Sequence, residues 1–199
     1  MRNEYVIYHI TQSGKPHNEK EKEEEEEKSV SILTTLRIIW VHLTGIFINY
    51  VCTFTVFPGV TFLKPYIVLG WWYLYVVSFF GVLDTLGRFL PSWLEAFKNC
   101  KQFTIVLGIF RIVLAGIFFI IAWSDNNSFA NSIGFKVVIL FLFSITNGYV
   151  TTSHMMYAPS IVEGKNKDIA GQAMALFLST GIAVGSVFAG TWVPKVIPS

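Results

Sequence analysis

The sequence predicts an all-α, polytopic membrane protein with five transmembrane helices, and three observations carry that prediction. Of its 199 residues, 53% are hydrophobic and the mean hydropathy is +0.53, a composition outside the soluble globular range. The apolar residues gather into five stretches, about 32–57, 71–90, 103–123, 135–157 and 169–193, and a helix of about 20 apolar residues crosses the ~30 Å hydrocarbon layer of a bilayer. Polar or turn-forming connections such as Pro58-Gly59 and DNNSFANS (125–132) separate them.

Charge divides the chain at its first helix. Residues 19–28 are 7 Glu and 3 Lys, whereas from Ser29 onward 10 Lys/Arg stand against 5 Asp/Glu. So dense a charge block cannot bury enough apolar surface to offset the entropy of ordering. Residues 1–30 are therefore expected to be a charged cytoplasmic segment, disordered or transiently helical, ahead of a membrane domain at 31–199. No charged n-region, short apolar core and small-residue cleavage site opens the chain, so no cleavable secretory signal is expected. Cys52 and Cys100 lack the spacing of a redox or metal motif, and no metal site or cofactor is expected.

In the first stretch His42, Gly45, Asn49, Thr53 and Phe57 recur at intervals of three and four. This spacing draws one small or polar stripe down an otherwise lipid-compatible helix and should face protein. His42 reads either as a hydrogen-bonded packing residue or as a pH sensor.

The second stretch, closed by Pro91, carries Asp84 and Arg88, one helical turn apart with the acid first, the favourable order for an ion pair. A charge at the bilayer centre costs about 3 kcal/mol or more, so such a pair is expected to face other helices or an aqueous cavity. The third stretch carries Arg111. If the second and third helices are antiparallel neighbours, Asp84 and Arg111 each sit nine residues from their shared surface, ~13 Å deep at 1.5 Å per residue. The expectation is that Asp84 is shared between Arg88 and Arg111.

In the fourth stretch Ser144, Asn147, Thr151 and His154 form a polar stripe, read equally well as interhelical glue or as the wall of an aqueous path. The fifth carries Gly181, Gly185 and Ala189 four residues apart, a small-residue ladder that admits a neighbouring helix closely, and Gln172, Ser179 and Ser186 on a second, polar line. With the N-terminus in the cytoplasm, ten Lys/Arg fall inside and three outside, leaving out Arg88 and Arg111. That predicts a cytoplasmic N-terminus and an extracellular C-terminus.

Several segments taken together resemble the C-terminal half of an equilibrative nucleoside transporter. They are FPGVT (57–61), VLDTLGR (82–88), the arginine of the next helix, TNGY (146–149) and IAGQAMALFLSTGIAVGSVFAG (169–190). The resemblance covers almost everything from Ser29 to Val193. It implies helices seven to eleven of an eleven-helix, major-facilitator-like carrier, preceded by the end of its charged cytoplasmic loop. It also implies roles: Arg88 contacts the sugar of a nucleoside, Asp84 positions that arginine, Phe57 is an aromatic near the cavity, and Ile182 lines it. Asn147 lies in a family motif. Where many members carry Asn three residues before the acid, this chain has Gly81.

The chemistry fits that implication. An ionised Arg and Asp hydrogen-bond ribose hydroxyls, and aromatic side chains sandwich a flat base. The expected function is facilitated diffusion of nucleosides or nucleobases by alternating access, in a multi-pass, plasma-membrane protein. The expected substrate-binding residues are Asp84, Arg88, Phe57, Ile182, Arg111 and Asn147. Expected partners are the nucleoside or nucleobase, the lipid bilayer, and either missing N-terminal helices or a second chain, with no nucleic acid. No enzyme constellation of nucleophile and base, metal ligands or phosphate-cradling loop is present in the sequence. The competing expectation is a truncated, non-transporting membrane fragment, or a half that must pair with another chain.

Overall fold

A computed structural model describes residues 17–60, 71–93, 101–123 and 132–196. Cys100, residues 1–16 and the connections carrying Lys64, Lys98 and Asp125 lie outside the described residues.

Helix α1 spans His17–Phe54 and includes the acidic run at its start. It ends in a wide π-turn, Thr55–Gly59, within which Phe57 leaves helical geometry at φ −119° and ψ 116°. The cause is local: the residue before a proline disfavours helical geometry and prefers extended backbone. Helix α2 spans Trp72–Trp93, α3 Lys101–Trp123, α4 Ile133–Ser160 and α5 Asn166–Thr191, followed by a single turn, α6, at Val193–Val196. Pro91 was expected to stop α2, yet it lies in the last turn and the helix ends two residues later. A proline clashes with the turn before it, so a helix can include one just before its end. Ser132 caps α4, its hydroxyl accepting from the Phe135 N–H at 3.4 Å.

Five of these helices are long and apolar enough to cross a membrane, and the protein is an all-helical, polytopic membrane protein. Helix α1 packs along α5 and α2 along α4, with α4 also touching α1, α3 and α5. The first pairing rests on the small-residue ladder. A Cβ added at Gly181 or Gly185 would come within 2.8 Å of the Phe47 or Val51 carbonyl oxygen, so only glycine admits α1 there.

Two apolar clusters fill the bundle. One joins Val56, Leu114, Phe118, Ile139 and Phe143, and the other joins Ile39, Ile46, Ala158, Ala170 and Met174. Along both α1 and α4 the buried polar residues Asn49, Thr53, Asn147 and Thr151 fall between them. Outward-facing Trp40, Val82, Phe89, Ile109 and Leu176 are more than half exposed, as a lipid-facing surface requires.

Candidate functional site

The centre of the bundle is set by a crossing of α2 on α4 with backbones in contact. A side chain at Gly87 would strike the Ile145 carbonyl, and one at Gly148 would strike the Asp84 carbonyl. With no Cβ on either helix there, the polar side chains beside the crossing come within hydrogen-bonding reach.

Asp84, 9% exposed, uses both carboxylate oxygens. Oδ2 accepts from Arg88 Nε at 3.0 Å and Nη2 at 2.9 Å, the ion pair expected from the one-turn spacing. Oδ1 accepts from Asn147 Nδ2 at 2.6 Å. The Asn147 carbonyl oxygen in turn accepts from Arg111 Nη2 at 3.0 Å, Asn49 Nδ2 at 3.0 Å and Thr53 Oγ1 at 2.9 Å. The expected direct sharing of Asp84 between two arginines is therefore corrected: Arg111 lies in the predicted layer but reaches the carboxylate only through Asn147. Depth was set by helix length, while the intervening amide depended on which way α4 turned its stripe.

The rest of the Arg111 guanidinium is held by neutral oxygens. Nη1 donates to the Phe143 carbonyl and to Thr146 Oγ1, Nη2 donates to Thr53 Oγ1 at 2.6 Å, and the cation lies 4.4 Å from the Phe143 ring centre. At 1% exposure Arg111 is a buried cation. Arg88 differs: its side chain is 45% exposed, and Asp84 occupies its Nε–H and one Nη2–H. The Tyr50 hydroxyl lies close beside it.

Phe57, carried off the helix by Pro58, stacks on Phe80 of α2 with ring centres 4.4 Å apart and planes 10° from parallel. Ile182 is half-buried on α5 against the α1 cluster. Gln172, Ser179 and Ser186, one line on the same helix, are all exposed. The structure thus joins Asp84, Arg88, Arg111 and Asn147 in one network, and places Phe57 and Ile182 outside its hydrogen bonds.

The two polar stripes meet each other. Asn49 Nδ2 donates to Asn147 Oδ1 and to Thr151 Oγ1 at 3.2 Å, and His42 and His154 approach Nδ1 to Nδ1 at 3.1 Å, so for these residues the stripe of α4 is interhelical glue. Sequence reasoning does not single out Tyr50, Phe80 or Thr146. Thr146 lies beside Asn147 in TNGY and was findable there, whereas an aromatic residue within an apolar helix carries no distinguishing signal.

The model of the nucleoside transporter family matches residues 6–194. Curated relatives include "Equilibrative nucleotide transporter 6" of Arabidopsis thaliana, 28% identical over 76% of this chain and 35% of that protein. "Equilibrative nucleoside transporter 4" of Danio rerio is 21% identical over 94% of this chain and 35% of that protein. The Homo sapiens protein of the same name is 23% identical over 77% of this chain and 29% of that protein. The chain spans about a third of the length of these relatives. No solved structure matches.

Proposed function

The chain belongs to the nucleoside transporter family, and from that premise we propose that it forms the substrate-gripping C-terminal part of a nucleoside carrier working by facilitated diffusion. The observation that carries the proposal is the asymmetry of the central ion pair. Asp84 is buried and held at both oxygens, while Arg88, bonded to it through Nε and Nη2, keeps a side chain that is 45% exposed. A cation positioned this way has N–H groups left to donate to ribose hydroxyls, and the carboxylate keeps it from swinging away. The stacked Phe57 and Phe80 offer an aromatic platform for a base, and Ile182 an apolar wall.

Transport requires no bond to be made or broken, only that a site between two bundles open alternately to each side. The five helices supply one such bundle, the half of a major-facilitator-like carrier, and the facing wall would come from further helices of a longer protein or from a second chain. The excess of Lys/Arg at one surface supports a cytoplasmic N-terminus and a C-terminus on the opposite side of the membrane, and the plasma membrane is the proposed location.

The test is uptake of labelled adenosine, and of a panel of nucleosides and nucleobases at two pH values, by cells making this chain alone or with the missing helices supplied. Saturable uptake that disappears in Arg88→Ala, at unchanged surface amount, is the expected result. Uptake that never saturates would indicate a channel. A second reading, that the chain is a non-transporting half until paired, is favoured by its covering about a third of its relatives. It predicts uptake only when the other helices are present.

A further inference from the structure

Tyr50 stands one residue past Asn49, so it points about 100° round α1 from the polar stripe that meets α4. It turns to α5 instead. A Cβ added at Gly181 would come within 3.0 Å of the Tyr50 Cβ, so the absence of a side chain there lets the tyrosine sit between the two helices, 6% exposed. Its ring stacks on Phe54 one turn further on, with centres 6.1 Å apart and planes 21° from parallel. The small-residue seam thus fixes the ring, and the ring carries its hydroxyl across to α2, within hydrogen-bonding range of the Arg88 guanidinium.

That contact supplies what the ion pair lacks. Asn147 takes Asp84 Oδ1, so Arg88 Nε and Nη2 both converge on Oδ2, at 3.0 and 2.9 Å. A guanidinium held by two carboxylate oxygens is fixed in plane and direction, whereas two bonds to one oxygen leave it able to rock about that oxygen. Packing alone does not stop the rocking, because the side chain is 45% exposed. A third bond from another helix does. A guanidinium carries donors and no acceptor, so in this bond the arginine N–H donates and the phenol oxygen accepts.

We infer that Tyr50 is a positioning residue of the substrate site: its hydroxyl holds the Arg88 guanidinium in the orientation that grips the sugar of a nucleoside. The inference rests on the reading of Arg88 as the sugar-binding cation, and adds to it a residue that touches the arginine rather than the substrate. A cation free to rock must be ordered when the ribose binds, which weakens affinity. Tyr50 orders it beforehand, to the benefit of substrates that carry a sugar. Two features on different helices are thereby joined: the Gly181 seam of α5 sets where the phenol stands, and the phenol sets where the cation points.

Tyr50→Phe removes the hydroxyl and keeps the ring, its stack on Phe54 and its fit at Gly181. With the remaining helices supplied, initial uptake of labelled adenosine and of adenine, which differ by the ribose alone, is measured over a range of concentrations. The expected result is an adenosine KM about three- to tenfold higher at nearly unchanged Vmax, the cost of one hydrogen bond, with a smaller rise for adenine. In an Arg88→Lys background, where no flat guanidinium is left to orient, the same change should do less. An unchanged adenosine KM, equal rises for adenosine and adenine, a fall in Vmax alone, or full additivity with Arg88→Lys overturns the inference while leaving Arg88 in the site. Undiminished adenosine uptake by Arg88→Ala, or no uptake by the wild type, defeats the reading of Arg88 itself, and the inference falls with it. KM and the ratio between the two substrates do not depend on how much protein reaches the surface, so poor expression of a variant cannot imitate either result.

Discussion

Asn147 Nδ2 donates to Asp84 Oδ1 at 2.6 Å while the oxygen of the same amide collects three donors, one of them from Arg111. One neutral side chain thereby carries the field of a buried carboxylate to a buried cation and fills positions on both with nearly ideal hydrogen bonds. Asparagine suits the place because its two ends have opposite polarity. A second carboxylate there would repel Asp84, and a lysine would repel Arg111.

Asn147→Leu keeps the approximate volume and removes both ends of this bridge. Asp84 Oδ1 and the Asn49 amide lose partners, and Arg111 keeps only neutral hydroxyl and carbonyl contacts. Each buried group left unsatisfied costs roughly 1–3 kcal/mol, so the variant should be among the least stable single changes in the bundle. Thermal unfolding of detergent-purified protein measures this, and a melting temperature within a degree or two of wild type would show that the bridge contributes little.

How much of this layer was legible beforehand follows from which interactions are local. The Asp84 and Arg88 pair was readable because i and i+4 share a helix face whatever the fold. The burial of His42, Asn49 and Thr53, and of Ser144, Asn147, Thr151 and His154, follows from spacing in a lipid-compatible helix. The pairing of the two stripes, and so the insertion of Asn147 between Asp84 and Arg111, depends on the rotation of α4 about its axis, which periodicity leaves open.

Gly148 and Gly81 should respond oppositely to added side chains. An alanine Cβ at Gly148 falls on the Asp84 carbonyl and within 2.8 Å of the Arg88 backbone nitrogen, neither of which can move without shifting α2. Gly148→Ala should cost about 1–3 kcal/mol through overpacking and displace the ion pair from its layer. Gly81 has nothing within 4 Å of an added Cβ, so Gly81→Asn should fold normally. It places an amide one turn before Asp84, and the expected consequence is a changed ratio of nucleoside to nucleobase uptake. Melting temperatures and a two-substrate uptake assay check both.

Arg88→Lys separates charge from geometry. Lysine keeps the cation but offers a point charge in place of the flat fork that meets one Asp84 oxygen through Nε and Nη2 together. Because the side chain is 45% exposed, the bundle should tolerate the change with little loss of stability. Uptake should fall about tenfold or more, mainly through weaker apparent affinity. Wild-type uptake in this variant would remove the Arg88 guanidinium from the substrate site.

His42 and His154 are each 3% exposed, with Nδ1 atoms 3.1 Å apart and ring centres 5.3 Å apart in an edge-on arrangement. A contact between two like ring nitrogens holds only if one carries a proton and the other does not, so the rings must adopt complementary tautomers. Removing either ring's nitrogen leaves the other facing an apolar edge. The surroundings limit repacking, because a Cβ added at Gly45 would come within 2.5 Å of the His154 ring and Tyr157 stacks on His42 with ring centres 6.0 Å apart. His42→Phe and His154→Phe should therefore each destabilise by about 1–3 kcal/mol, while the double variant, with no nitrogen left unpaired, should cost less than their sum. The expected coupling is about 0.5–3 kcal/mol in a double-mutant cycle read from unfolding in mixed micelles. Strictly additive losses would mean that the two rings share a wall of the bundle without sharing a proton.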